Sequence, residues 1–410
     1  MIKVKELIKN KNAFLQVVKE WFSNYRIQIS FVSILLISIM PFIFKFLGIN
    51  DRFSSIPCTI ITSILLIFCY LINFKLISNK DTLLIVLVNI VSLIVTLLLE
   101  GALGVITIYV NMLLMLFLFN NLKFPKLYCL WVHAIQAIAI LLWLQTLDTT
   151  YIWRAYVTEP SGLYVNPCTV AIMALASFYH IFICVTSFEI DNKYVKVLFW
   201  ALTIYAFAKT YLLILDSGCR ASLLALLLFC ISFALKDKIA SKYSFCIKAA
   251  VIFCLTFPLI YIGLSLMVGN FEFFGKGFFT QRDNVWQSVY ELIYKSPIIG
   301  VGSENDILLM GHLMDDAHNL FLGIWKNIGL IPMFTLGLMF SQGKNIDDVT
   351  PLNRVAKMAF LTAFFISTVE TVLNGSEYYI FYFTLLLTMK KDLDTNFGNN
   401  MLRSLTSDGN

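Results

Sequence analysis

Apolar runs of roughly twenty residues follow one another along most of this chain with short polar breaks between them, and no other feature restricts its fold as severely. A run of that length without internal charge spans a bilayer as a helix, because every backbone N–H and C=O is then bonded within the segment. Such runs occupy approximately residues 28–48, 56–77, 82–99, 102–121, 127–147, 167–187, 195–215, 219–235, 246–268, 318–340, 355–373 and 376–389, the last being the shortest. The expected fold is an all-α integral membrane protein of about twelve transmembrane helices, with a long extracytoplasmic loop before the tenth. Composition agrees, with 59% hydrophobic residues, 14% charged residues and a mean hydropathy of +0.79. A soluble domain would carry about a quarter charged residues.

Orientation follows from the basic residues. With the N-terminus inside, the cytoplasmic connections hold Lys75 and Lys80, Lys123 and Lys126, Lys193 and Lys196, Lys236, Lys238 and Lys242, Lys344, Arg354 and Lys357, and Lys390 and Lys391. The outer connections hold only Arg52, Arg154, Arg220, Lys276, Arg282 and Lys295. Both termini are therefore expected to be cytoplasmic, in a multi-pass protein of the cytoplasmic (inner) membrane. Residues 1–27 form a basic N-terminal segment, 28–389 the membrane domain and 390–410 a cytoplasmic tail. The first twenty residues carry Lys3, Lys5, Lys9, Lys11 and Lys19 and lack the apolar stretch and cleavage site of a signal peptide, so they suit anionic headgroups. The net charge of +6 is explained by topology and is no sign of nucleic-acid binding. Nine cysteines are scattered, mostly within apolar runs and without a CxxC pair; Cys58, Cys168 and Cys219 lie near outer helix ends, but packing is the better reading for all nine.

Two outer loops are long, 148–166 and 269–317, and loops of that length are usually functional or disordered. The second contains a surface helix from about Arg282 to Lys295, with Val285, Val289, Leu292 and Ile293 at helical spacing. Thr280 is a plausible N-cap with Asp283 in the first turn, and Pro297 and Gly300-Val301-Gly302 end the helix. The chain shows no internal repeat, which weakens an inverted-repeat transporter reading.

Topology selects against positive charge outside, so each outer arginine needs a reason. Arg154, Arg220 and Arg282 come from three outer loops that can converge over one bundle. A guanidinium offers a planar fork of donors suited to phosphate, and the anion to expect at an outer membrane face is a lipid diphosphate. Binding to a headgroup or a nearby acid is the alternative, and for Arg154 it is equally good. Arg220 sits in the small-residue turn Asp216-Ser217-Gly218-Cys219-Arg220-Ala221-Ser222, where ligand and backbone approach closely. Arg282 opens the loop helix, whose N-terminal N–H groups also favour an anion. His318, where the long loop returns to the membrane, is the best candidate for acid–base work, with an interfacial histidine bonded to a loop carbonyl as the alternative. His133 and His180 read as core residues, and His312 lacks the helix-start context. Lys326 and Glu370 are intramembrane charges that would relieve each other as an ion pair, structural as readily as catalytic. No metal-ligand cluster, DxD, P-loop or dinucleotide fingerprint stands outside, so neither metal nor nucleotide cofactor is expected.

Three ordered blocks resemble the O-antigen ligase and O-antigen polymerase superfamily of bacterial surface polysaccharide assembly. They are Ser217-Gly218-Cys219-Arg220-Ala221-Ser222-Leu223-Leu224; Arg282-Asp283-Asn284-Val285-Trp286 with Ser296-Pro297-Ile298-Ile299-Gly300-Val301-Gly302; and His318-Asn319-Leu320-Phe321-Leu322 through Gly329-Leu330-Ile331. Arg154 and Ser161-Gly162-Leu163-Tyr164-Val165-Asn166-Pro167 look like the preceding outer segment, whereas the first 140 residues match only in being hydrophobic. Cys219 departs from a common serine, and Asn327 from an acid that often follows the histidine.

The resemblance implies a metal-independent glycosyltransferase whose donor is an undecaprenyl-diphosphate-linked glycan. Arg220 and Arg282 would hold the diphosphate, His318 would orient or deprotonate the acceptor hydroxyl, and Arg154, Trp286 and Asn319 would contact substrate. Expected partners are lipid-linked glycans, membrane lipids, a chain-length regulator and a flippase. Polymerisation of repeat units into O-antigen, capsular or exopolysaccharide is favoured. The alternatives are ligation to lipid A core or protein, and, less favoured, a polysaccharide flippase or transporter.

Overall fold

The computed structural model describes residues 11–46, 51–73, 80–100, 103–121, 124, 126–147, 157–158, 164–187, 192–269, 271–273, 276–277, 279, 281–302, 307–309, 312–314, 317–341 and 351–369. These residues are nearly all helical, as the apolar runs require. In chain order the helices are α1 (Lys11–Phe46), α2 (Asp51–Ile72), α3 (Lys80–Glu100), α4 (Leu103–Asn121), α5 (Lys126–Thr146), α6 (Pro167–Ser187), α7 (Lys193–Ser217), α8 (Arg220–Ala234), α9 (Lys236–Ser241), α10 (Tyr243–Val268), α11 (Arg282–Lys295), α12 (Leu320–Ile328), α13 (Leu330–Ser341) and α14 (Pro351–Ile366). Strands occur as three two-residue or three-residue antiparallel hairpins: β1 (Val157–Thr158) with β2 (Tyr164–Val165), β3 (Glu272–Phe273) with β4 (Lys276–Gly277), and β5 (Ile307–Leu309) with β6 (His312–Met314).

Among the described residues five helices are long and apolar enough to cross a membrane, within α1, α5, α6, α7 and α10, and shorter apolar helices accompany them. The chain is an all-α, multi-pass integral membrane protein. At its centre stands α6, packed by α5, α7, α8 and α14 and buried along nearly its whole length. Small residues such as Ala171, Ala174 and Ala176 let these neighbours approach, and Phe178 and Phe182 interlock edge-on with Phe229 of α8. Lipid tails are as apolar as leucine, so buried polar side chains supply specificity between helices. Tyr109 of α4 donates to Asn89 of α3 at 2.7 Å and Asn89 to Thr335 of α13 at 3.0 Å, while Asn73 donates to Ser30 of α1 at 2.8 Å. His133 and His180, read as core residues, face each other at 2.7 Å between their Nδ1 atoms.

Three elements differ from the sequence expectation. First, α1 runs unbroken from Lys11 through position 27, so the basic segment and the first apolar run share one helix. Second, the run 318–340 is broken at Gly329 into α12 and α13. The break has a backbone cause. Val301 N–H donates to Lys326 O at 2.7 Å, Gly302 N–H to Asn327 O at 3.1 Å, and Leu330 N–H to Ile298 O at 3.1 Å. Loop residues 298–302 therefore take the carbonyls that end α12, and Gly329 holds φ 93°, ψ −179°, a region essentially reserved for glycine. Gly300 must be small as well, since a Cβ there would lie 2.7 Å from the Asn327 carbonyl carbon. Third, α11 begins at Arg282 as expected, but its N-cap is Gln281 in a left-handed conformation. Thr280, Arg154, Glu370 and the run 376–389 lie outside the described residues.

Candidate functional site

The described residues between α10 and α12 pack onto the bundle around a small core of their own. Val285, Val289 and Ile293, spaced along one face of α11, are buried with Trp286, Tyr261 and Phe279, and Ala317 and Leu322 close the cluster. Tyr261 stands against the Trp286 ring at 5.0 Å and the Phe279 ring at 4.9 Å, both near edge-on. Burying side chains of this size stabilises by about 1.5–3 kcal/mol each, enough to hold the loop in one place. Its far end is fastened too, since Thr96 of α3 donates to Ile299 O at 2.9 Å.

This fastening brings together residues far apart in sequence. Arg220 is the first residue of α8, and its Nη2 donates to the carbonyl of Gly277 in β4 at 3.2 Å, so the β3–β4 hairpin reaches over it. Arg220 lies within electrostatic range of Arg282 and of Tyr261. Arg282 is the first residue of α11, and Trp286 is one turn further along the same face. The Trp286 Nε1–H donates to Ala317 O at 2.9 Å, which fixes the residue just before His318. Arg220 and Arg282 are thus within electrostatic range of each other, and Trp286, one turn from Arg282, holds the residue before His318.

The electrostatics of the pair are unusual. A cation at a helix N-terminus opposes the macrodipole, by about 0.3–1 kcal/mol where exposed. Here two guanidinium groups do so, within electrostatic range of each other. The N-caps of both helices, Cys219 and Gln281, make no side-chain capping bond. Cys219 Sγ is instead 3.2 Å from Ser222 Oγ, and its own N–H is taken by Ser217 Oγ at 3.1 Å. Asp283 stands in the first turn of α11 and suits the dipole there, whereas the first turn of α8 holds no acid. Two uncapped helix starts with two arginines form a place that an anion stabilises.

His318 sits one residue before the N-cap of α12, with φ 46°. A non-glycine residue in the left-handed region costs about 1–3 kcal/mol and persists where its surroundings over-determine it. It is half-buried. Asn319, the N-cap, is fully buried. Its Oδ1 accepts from Leu322 N–H at 3.0 Å, and its Nδ2 donates to Cys254 O at 2.8 Å and Thr368 O at 3.0 Å. The polar groups of Trp286 and Asn319 therefore meet protein partners, and a substrate contact through them would displace these bonds. Lys326 is buried to 1% exposure at the end of α12, and its expected partner Glu370 is outside the described residues. The Asn327 Oδ1 is buried without a hydrogen-bond partner.

Tyr261, Phe279 and the Gly277 carbonyl are parts of this region that sequence reasoning missed. A signal existed for Tyr261: Phe253, Phe257 and Tyr261 recur every fourth residue as an aromatic stripe along α10. Among the described residues no group of three or more His, Cys, Asp or Glu gathers as a metal site, and none of the nine cysteines is in a disulfide. Residues 202–336, which contain Arg220, Arg282 and His318, match a family model described as O-antigen ligase. Comparisons with curated proteins and with solved structures found no match.

Proposed function

We propose, from the match of residues 202–336 to the O-antigen ligase family model, that this chain is a metal-independent glycosyltransferase of the O-antigen ligase and polymerase superfamily. It joins undecaprenyl-diphosphate-linked oligosaccharide repeat units into O-antigen, capsular or exopolysaccharide at the outer face of the cytoplasmic membrane. The observation that carries this reading is the pairing of Arg220 and Arg282 at two uncapped helix starts.

In the reaction, an acceptor hydroxyl oxygen forms a bond to the anomeric carbon of the donor sugar. The bond from that carbon to the diphosphate oxygen breaks, and the diphosphate leaves with the electron pair. Arg220 and Arg282 stabilise the charge that develops there, the kind of term worth about 3–4 kcal/mol per well-placed donor. The hydroxyl proton passes to the neutral imidazole of His318. The hairpin over Arg220 and the folded loop keep water from the anomeric carbon, so that transfer outruns hydrolysis. Both lipid-linked substrates diffuse in the plane of the membrane and meet at its surface. Arg154 and the partners expected from sequence, a chain-length regulator and a flippase, complete this reading.

The test is the surface-glycan profile of a strain lacking this protein. Single surface-attached repeat units support the polymerase. Long lipid-linked polymer would instead indicate ligation to lipid A core or protein, and repeats trapped facing the cytoplasm would indicate a flippase.

A further inference from the structure

Pro258 interrupts α10, and the consequence reaches His318. A proline has no N–H, so the carbonyl four residues earlier, Cys254 O, loses its partner within the helix. A carbonyl left unbonded in an apolar bundle is unfavourable and needs a donor from elsewhere. The donor is Asn319 Nδ2 at 2.8 Å. The same amide group donates to Thr368 O, just past the end of α14, at 3.0 Å, while its oxygen caps α12 through Leu322 N–H. Cys254 Sγ and Leu320 N–H both point to Ser367 O, at 3.5 and 2.9 Å, so the three segments meet at one buried point.

His318 lies between two such fixings. On one side Ala317 O is held by Trp286, whose ring packs on Tyr261 one turn beyond Pro258 in α10. On the other side Asn319 is held by α10, α14 and α12. Both ends of the left-handed residue are thereby referred to the same helix, the one whose Tyr261 interacts with Arg220. We infer that Asn319 is a positioning residue: by satisfying the carbonyl freed at Pro258 and the Thr368 carbonyl, its amide holds His318 in its left-handed conformation at the start of α12. This inference rests on the proposed transfer reaction for its kinetic consequence, though the lock itself is a matter of geometry.

The experiment uses the full chain in proteoliposomes, with Asn319→Ser, Pro258→Ala, the double variant and His318→Ala. Serine keeps an N-cap acceptor and introduces no charge but has no amide donors. Alanine at 258 restores an in-helix N–H to Cys254 O, which makes part of the Asn319 bonding redundant. With an undecaprenyl-diphosphate-linked oligosaccharide as donor, Asn319→Ser is expected to lower kcat per folded molecule about 100-fold, the scale of an ångström-level misplacement, with KM for the donor within about twofold. In the Pro258→Ala background the same substitution should cost at least about fivefold less, a coupling that independent sites would not show. His318 labelling by diethyl pyrocarbonate, read by mass spectrometry on its peptide, should change rate in Asn319→Ser and recover in the double variant.

An Asn319→Ser protein with unchanged kcat and unchanged His318 labelling would overturn the inference. So would an equal loss with and without Pro258. If His318→Ala transfers glycan at the wild-type rate, the reaction reading fails, whereas the labelling rates and their coupling to Pro258 still decide the lock.

Discussion

Replacing Gly329 by alanine should release the outer loop from the bundle. Gly329 holds φ 93°, ψ −179°, and a Cβ there would collide with the Ile298 carbonyl oxygen, a backbone atom that cannot swing aside. Keeping the native backbone would place alanine in a region that costs about 1–3 kcal/mol, before the collision is counted. Moving the loop away instead breaks the bonds Leu330 N–H to Ile298 O, Val301 N–H to Lys326 O and Gly302 N–H to Asn327 O. At about 1 kcal/mol net per bond that route loses about 3 kcal/mol. With the collision added to the first route, moving the loop sets the scale, and docking is weakened by about 3 kcal/mol, which is about two powers of ten in an opening equilibrium. Amide hydrogen exchange in nanodiscs reads this directly, and the peptide covering Val301 and Gly302 should exchange about 100-fold faster. Gly337→Ala is the control, because a Cβ there meets only ordinary contacts at 3.5 Å with Val251 and 3.6 Å with Phe321. Unchanged exchange at Val301 and Gly302 in Gly329→Ala would refute the assignment of this glycine to loop docking.

Arg220→Lys and Arg282→Lys keep the charge and lose the planar fork, and each should lower transfer by about tenfold or more in a proteoliposome assay, with alanine worse than lysine. Trp286→Phe keeps an aromatic ring, though a smaller one, and orphans the Ala317 carbonyl, so a loss of at least about 1–3 kcal/mol in detergent unfolding is expected together with reduced transfer. Tyr109→Phe removes a hydroxyl shared by Asn89 and Pro332 O, a link between α3, α4 and α13. It should lower stability by about 1–2 kcal/mol while specific activity stays within twofold, as measured per folded molecule. Prolonged chelation with EDTA should leave transfer unchanged, because the chemistry needs only guanidinium, imidazole and the leaving diphosphate.

The all-α membrane class was legible because apolar length is set residue by residue. Val285, Val289 and Ile293 announced α11 and its buried face by spacing alone. Arg220, Arg282 and His318 stood out as polar groups at the edges of apolar runs; the structure puts Arg282 within electrostatic range of Arg220, and Trp286 holds the residue before His318. The break at Gly329 was not legible, because it depends on loop residues 298–302 reaching carbonyls that a continuous helix would have kept. Nor was the Asn319 amide bonding, which depends on which carbonyl a proline frees and which distant side chain lies opposite. Pro258 marks the donor's absence in sequence, but only three dimensions identify Asn319 as the replacement.

The central claim is that Arg220, Arg282 and His318 act together on a lipid diphosphate. Purified full-length protein in proteoliposomes, given an undecaprenyl-diphosphate-linked repeat unit alone, tests it by glycan length and released lipid diphosphate. The wild-type chain should build polymer and release one undecaprenyl diphosphate per bond formed, and Arg220→Ala, Arg282→Ala and His318→Ala should each yield neither while remaining folded. Polymer of wild-type length from the three variants would contradict the account.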